Sequence, residues 1–125
     1  MYREITIGEI NVPILATAST NIYFKQIFGQ DPIAIQTNDE MDTAQGLEFA
    51  QKLTFVTAMQ AKAREAVEKG EAARIRDIMA KIQPDDIIDF LDGLDFGELQ
   101  KALPMVMEAY AAQKEPSSTA KKEQG

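Results

Sequence analysis

Between Thr43 and Lys69 the apolar residues Phe49, Leu53, Val56, Met59, Ala63 and Val67 recur at a spacing of three and four. That is the period of one helical face, and it runs without proline until Gly70. A helix this long needs partners along its length, so the rest of the chain must supply them. Asp42 or Thr43 can cap its start.

The segments on either side read as such partners. Arg3 to Ile14 reads as a β-hairpin: Ile5 and Ile7 alternate with polar residues, Gly8-Glu9 supplies a two-residue turn, and Ile10, Val12 and Ile14 alternate again. This register sets Ile7 opposite Ile10 and Ile5 opposite Val12, all on one face. Pro13 has no amide to donate, which places it at an edge. A lone hairpin is marginal in water, so it packs on helices or pairs with another chain. A helix follows, capped by Ser19 or Thr20, with Tyr23, Phe24, Ile27 and Phe28 on its face and Gly29 at its exit. Gln30 to Asp42 reads as a long polar loop with a turn at Asp31-Pro32.

Beyond Gly70, Ala72 to Ile82 predicts a second helix, with the stripe Ile75, Ile78, Met79, Ile82 and a favourable Asp77–Lys81 pair. Pro84 suits the first position of the next helix, with Asp85 and Asp86 against its dipole and Ile87, Phe90, Leu91 and Leu94 on its face. Gly93 ends that helix. Asp95 caps the last, whose stripe is Phe96, Leu99, Leu103, Val106 and Tyr110, with a kink or restart near Ala102 because Pro104 lies inside it. The fold expected is mainly α: a single helical domain over 1–113 of about five helices, with an N-terminal hairpin at 3–14 and a disordered tail from 114 to 125.

Charge narrows the function. Residues 84–110 hold seven acids and one base, whereas 1–83 hold eleven and nine, and 111–125 two and three, for a total of −7. Phosphate binding needs a positive stripe, so nucleic acid is not an expected partner. An apolar run of the ~20 residues that span a bilayer is absent, as is a signal-peptide pattern, so a soluble intracellular protein is expected. The chain has neither histidine nor cysteine. That removes Ser-His and Cys-His nucleophiles and ordinary zinc sites, and no glycine-rich phosphate loop is present. Asp85, Asp89 and Asp92 share one helical face at i, i+4, i+7, but the spacing does not match a calcium loop. A solvated face, or a surface steering basic clients, fits them better. The expectation is a non-enzymatic protein with no cofactor.

Met105 and Met107 follow Pro104, and methionine-rich surfaces adapt to varied partners, although core packing is the plainer role for both. With Tyr110 and the three aspartates they form the predicted partner-binding set: Asp85, Asp89, Asp92, Met105, Met107 and Tyr110. The hairpin edge is a further candidate, for self-association.

The order of segments resembles the tail assembly chaperones of long-tailed (siphovirus-like) phages and prophages. Four stretches carry the resemblance: Ile5-Thr6-Ile7-Gly8-Glu9-Ile10-Asn11-Val12; Tyr23 with Ile27-Phe28-Gly29-Gln30-Asp31-Pro32; Leu47-Glu48-Phe49-Ala50 through Phe55 to Met59; and Phe90-Leu91-Asp92-Gly93-Leu94-Asp95 with Ala102-Leu103-Pro104, Tyr110 and the closing Lys121-Lys122. The resemblance implies a small, mostly helical protein that coats the tape measure protein in the host cytoplasm and keeps it soluble. It also implies recruitment of the major tail (tube) protein and departure before the virion is complete. Many such phages make a longer form by frameshifting near the gene's end, and the Lys121-Lys122 pair is compatible with an adenine-rich slippery run. Phe90 stands near where the family often carries tryptophan. The alternative is a small acidic regulatory module that binds one folded partner.

Overall fold

The structure, a computed structural model, describes residues 1–37 and 40–114. The expected disordered tail at 115–125 therefore lies outside the described residues, while Lys114 closes the last helix. The described elements are two strands, β1 (Tyr2–Ile7) and β2 (Ile10–Leu15), and six helices. The helices are α1 (Thr20–Phe28), α2 (Pro32–Gln36), α3 (Thr43–Glu68), α4 (Ile75–Met79), α5 (Asp86–Asp92) and α6 (Phe96–Lys114).

The hairpin takes the expected register, with Ile7 opposite Ile10 and Ile5 opposite Val12. Gly8 has φ +66 and no other turn residue has positive φ, the pattern of a type II′ turn. Beyond the strands the ladder gains one more pair, as Ala16 N donates to Met1 O at 2.9 Å and the Met1 amine donates to Ala16 O. Burial and the neighbouring Arg64 lower the pKa of that amine. Ile5, Ile7, Val12 and Ile14 are buried, but Ile10 is 46% exposed at the tip of the hairpin.

Helix α3 is the axis of the fold: β2, α1, α4, α5 and α6 all pack on it, and β1 packs on α6. Its start carries a capping box, Asp42 with Gln45. One stripe does not describe its middle, because every residue from Leu53 to Ala58 is buried. A helix buried all round must satisfy its polar side chains internally. Thr54 Oγ1 donates to Ala50 O at 2.7 Å, and Thr57 Oγ1 donates to Leu53 O at 2.9 Å. Rings then link the elements in sequence: Tyr110, Phe49, Phe24, Phe28, Phe55 and Phe90 stand in a chain of tilted and edge contacts with centroids 5.3–6.4 Å apart.

Several local expectations are corrected. Ser19 has helical backbone angles and its side chain makes no capping bond, while the Thr20 hydroxyl turns inward to Gln60, so neither residue caps α1 through its side chain. The polar loop at 30–42 contains a short helix, α2, begun by Asp31 accepting from Ile33 N with Pro32 in its first turn. The predicted helix over 72–82 is confined to Ile75–Met79, because Arg74 is extended and residues 81 and 82 close turns onto Ile78 and Met79. Asp77 pairs with Arg74 at 3.1 Å in place of Lys81. Pro84 precedes α5 and does not begin it. Asp95 caps α6 as expected, accepting from Glu98 N at 2.9 Å. That helix runs unbroken through Pro104, with no restart near Ala102.

Candidate partner-binding groove

An open groove of about 820 Å³ lies between the hairpin, the C-terminal half of α3 and the α5 segment. Val12, Ala58, Met59, Phe90 and Leu94 supply apolar lining. Phe90 is held there by its edge contact with Phe55, at 5.6 Å. Ala58 and Ala61 are one turn apart on α3, and their small side chains leave the space open. Ile10, at the exposed tip, completes the hairpin wall.

The rim is charged. Glu4, Lys62, Arg64, Glu65 and Glu68 line it. Arg64 pairs with Glu68 and Lys69 with Glu65, at 3.1 and 3.0 Å. On α5, Asp86 lies four residues before Phe90 and so neighbours it on the helix surface, and Asp89 adjoins it in sequence. Asp86 also accepts from Gln83 N at 2.8 Å.

The predicted partner-binding residues fall into three places, and none lines this groove. Asp85, just before α5, and Asp89 and Asp92 on it are exposed, and no salt bridge among the described residues includes them. Among the described residues, no group of three or more acidic side chains is placed to hold a metal ion. Met105 is 40% exposed on α6, and Met107 is half-buried against the core. Tyr110 is corrected from surface contact to core residue: it is 2% exposed. It falls four residues after Val106 and seven after Leu103 on the buried stripe. Its hydroxyl accepts from Gln36 Nε2 at 2.9 Å and donates to Asn21 Oδ1. Burial pushes the phenol above its ordinary pKa, against the lowering pull of both hydrogen bonds.

Phe96 departs from its expected stripe in the opposite direction, at 57% exposed. It shares the side of Leu103 but sits two turns nearer the helix start, where more of its surface faces solvent than protein. The groove itself was absent from the sequence reading. Two signals pointed to it: Pro13 marking an unpaired strand edge, and Ala58 with Ala61 leaving a thin place on α3.

Among the described residues no helix is long and apolar enough to cross a membrane. The fold is a mainly helical domain with an N-terminal antiparallel hairpin. Compared with known proteins, the chain matches no family model, no curated protein and no solved structure.

Proposed function

We propose that this chain is a tail assembly chaperone of a long-tailed phage or prophage. It binds the tape measure protein, keeps it soluble, recruits tail tube subunits and leaves the finished tail. It works without catalysis, in the host cytoplasm. The ordered resemblance from Ile5 to Lys122 suggests the role. The observation that carries it further is the open groove beside α3, because a holder of long apolar helices needs an accessible apolar surface on an otherwise charged body. The net charge of −7 keeps such a protein apart from its own kind before it meets its client.

Co-expression with the tape measure protein of the same genome tests the role, read by size-exclusion chromatography with light scattering. The expected result is a long protein that stays soluble only with this chain, in a complex holding many copies of it. A client that remains insoluble, even with any frameshifted form supplied, overturns the reading. A discrete complex with one folded partner would replace it with the regulatory module.

A further inference from the structure

We propose that residues 83–94 form a strap that lifts off α3 as one unit while the rest of the fold stays intact. Phe90 and Leu94 line the groove, so the strap is its movable wall. The strap is independent of the chaperone role.

Three observations set this segment apart. The first is how little of it is buried. Alone among the described helices, α5 has no buried residue, although Ile87, Phe90, Leu91 and Leu94 pack partly buried against the core. The second is that apolar contact is its whole attachment, with the Phe90 ring against Phe55 at 5.6 Å. Its hydrogen bonds close on itself: the amides of Asp86, Ile87, Ile88 and Leu94 donate to the carbonyls three residues back, and Gln83 N donates to Asp86 Oδ2. Among the described residues no hydrogen bond or salt bridge ties 83–94 to another element. Other elements do have such ties, from Thr20 to Gln60, from Tyr110 to Asn21 and from Arg3 to Glu108.

The third is charge. Asp85, Asp86, Asp89 and Asp92 crowd this short helix, and no base stands between Lys81 and Lys101. Asp85 and Asp86 gain from the helix start, but Asp89 neighbours both of them and Asp92 at three- and four-residue spacing, where like charges repel. Asp92 also faces the negative end of the helix dipole. These charges favour an open form in which they draw apart.

The chain is anchored on both sides of the strap, since Met79 in α4 is fully buried and Leu99 in α6 is 2% exposed. A two-turn helix does not hold its shape alone in water, so undocking melts α5 and frees its amides together. Units with few buried contacts open at a lower free energy than the whole fold.

Amide hydrogen exchange of the full chain tests this, read by NMR and divided by random-coil rates, under conditions where it reports opening equilibria. The α5 amides are expected to exchange at least about a hundredfold faster than those from Leu53 to Ala58 in α3, with a shallower but non-zero dependence on urea. Two substitutions separate the strap from other routes of exchange. Thr20→Val weakens a tie that the strap-open form keeps, so it raises the closed and strap-open forms equally. It speeds α3 exchange by about five- to 150-fold and leaves α5 exchange unchanged. Phe90→Leu weakens a contact that the closed form alone makes, so α5 and α3 exchange both accelerate, several-fold and by the same factor. Circular dichroism of each variant establishes that it is folded. Exchange of α5 as slow as that of α3, or a Thr20→Val that accelerates α5 along with α3, overturns the proposal, because α5 then unfolds only with the whole. Exchange of α5 that ignores Phe90→Leu or urea overturns it too, because the amides then open with Phe90 still docked. Each result reads the free protein, so none depends on whether the tape measure protein binds.

Discussion

Thr20 Oγ1 donates to Gln60 Oε1 across 2.7 Å, and both residues are fully buried. Around this bond a small network closes. Gln60 Nε2 donates to Thr17 Oγ1 at 3.1 Å, Thr17 N donates to Thr20 Oγ1 at 2.9 Å, and Ser19 N donates to Thr17 Oγ1 at 3.1 Å. The turn from β2 into α1 is thereby tied to the middle of α3. Thr20→Val leaves the Gln60 oxygen and the Thr17 amide without their partner, at a cost of about 1–3 kcal/mol. Thr20→Val combined with Gln60→Leu costs less than the sum of the two single changes, since one interaction is then removed once. Urea midpoints of the four proteins check both expectations.

Tyr110 makes the corresponding tie at the other end of α3, joining α6 to α1 and α2 through Asn21 and Gln36. Tyr110→Phe keeps the ring beside Phe49 and removes the hydroxyl, for an expected loss of about 1 kcal/mol. The loss depends on pH. Burial raises the folded-state pKa, so the hydroxyl's contribution is complete below the unfolded value of ~10 and declines as pH rises from there through the folded value. The stability gap between parent and Tyr110→Phe should therefore be constant from neutral pH to about 9 and shrink above 10. A gap that widens there contradicts the assignment.

The sequence made the long elements legible because their signals are local. Of the two caps the sequence offers, Asp42 starts α3, Gly70 follows its end, and the alternation from Ile5 to Val12 sets Ile7 opposite Ile10 and Ile5 opposite Val12, as observed. Signals failed where tertiary contacts decide. The Thr20 hydroxyl looked like a cap but faces a glutamine forty residues away. Phe96 continued a stripe by spacing, yet the helix begins beyond the reach of the core. Tyr110 looked like a contact residue because its partners, Asn21 and Gln36, lie on elements that only the fold brings together. The groove was hidden for the same reason, since its walls come from three separated segments.

Two glycines with open surroundings should respond to alanine with opposite signs. Gly29 closes α1 at φ +70, donating to Lys25 O at 2.8 Å, and a Cβ there would meet no atom within 4 Å. The penalty of Gly29→Ala is then the left-handed backbone alone, about 1 kcal/mol. Gly46 lies in the second turn of α3 at ordinary helical angles, also with nothing within 4 Å of a Cβ. Gly46→Ala should stabilise by roughly 0.5–1 kcal/mol, by lowering the entropy of the unfolded chain. Thermal melts distinguish the two, and a common sign would contradict the backbone angles at one of them.

Phe96 and Leu99 stand three residues apart on α6 and share the stripe that the sequence predicts, so a purely periodic account makes them equivalent. The fold does not. Leu99 is buried in the core cluster where β1 meets α6, whereas Phe96 is mostly in solvent. Leu99→Ala removes buried methyl groups and leaves a cavity, for a loss of about 2–5 kcal/mol. Phe96→Ser changes a mostly exposed side chain, and its effect on stability should stay within about 0.5 kcal/mol. Denaturant midpoints read the difference directly. Comparable losses at the two positions would mean that the first turn of α6 is covered in solution, by the chain itself or by a second copy. Repeating the Phe96→Ser measurement across protein concentration separates those cases, because only cover by a second copy makes the loss depend on concentration.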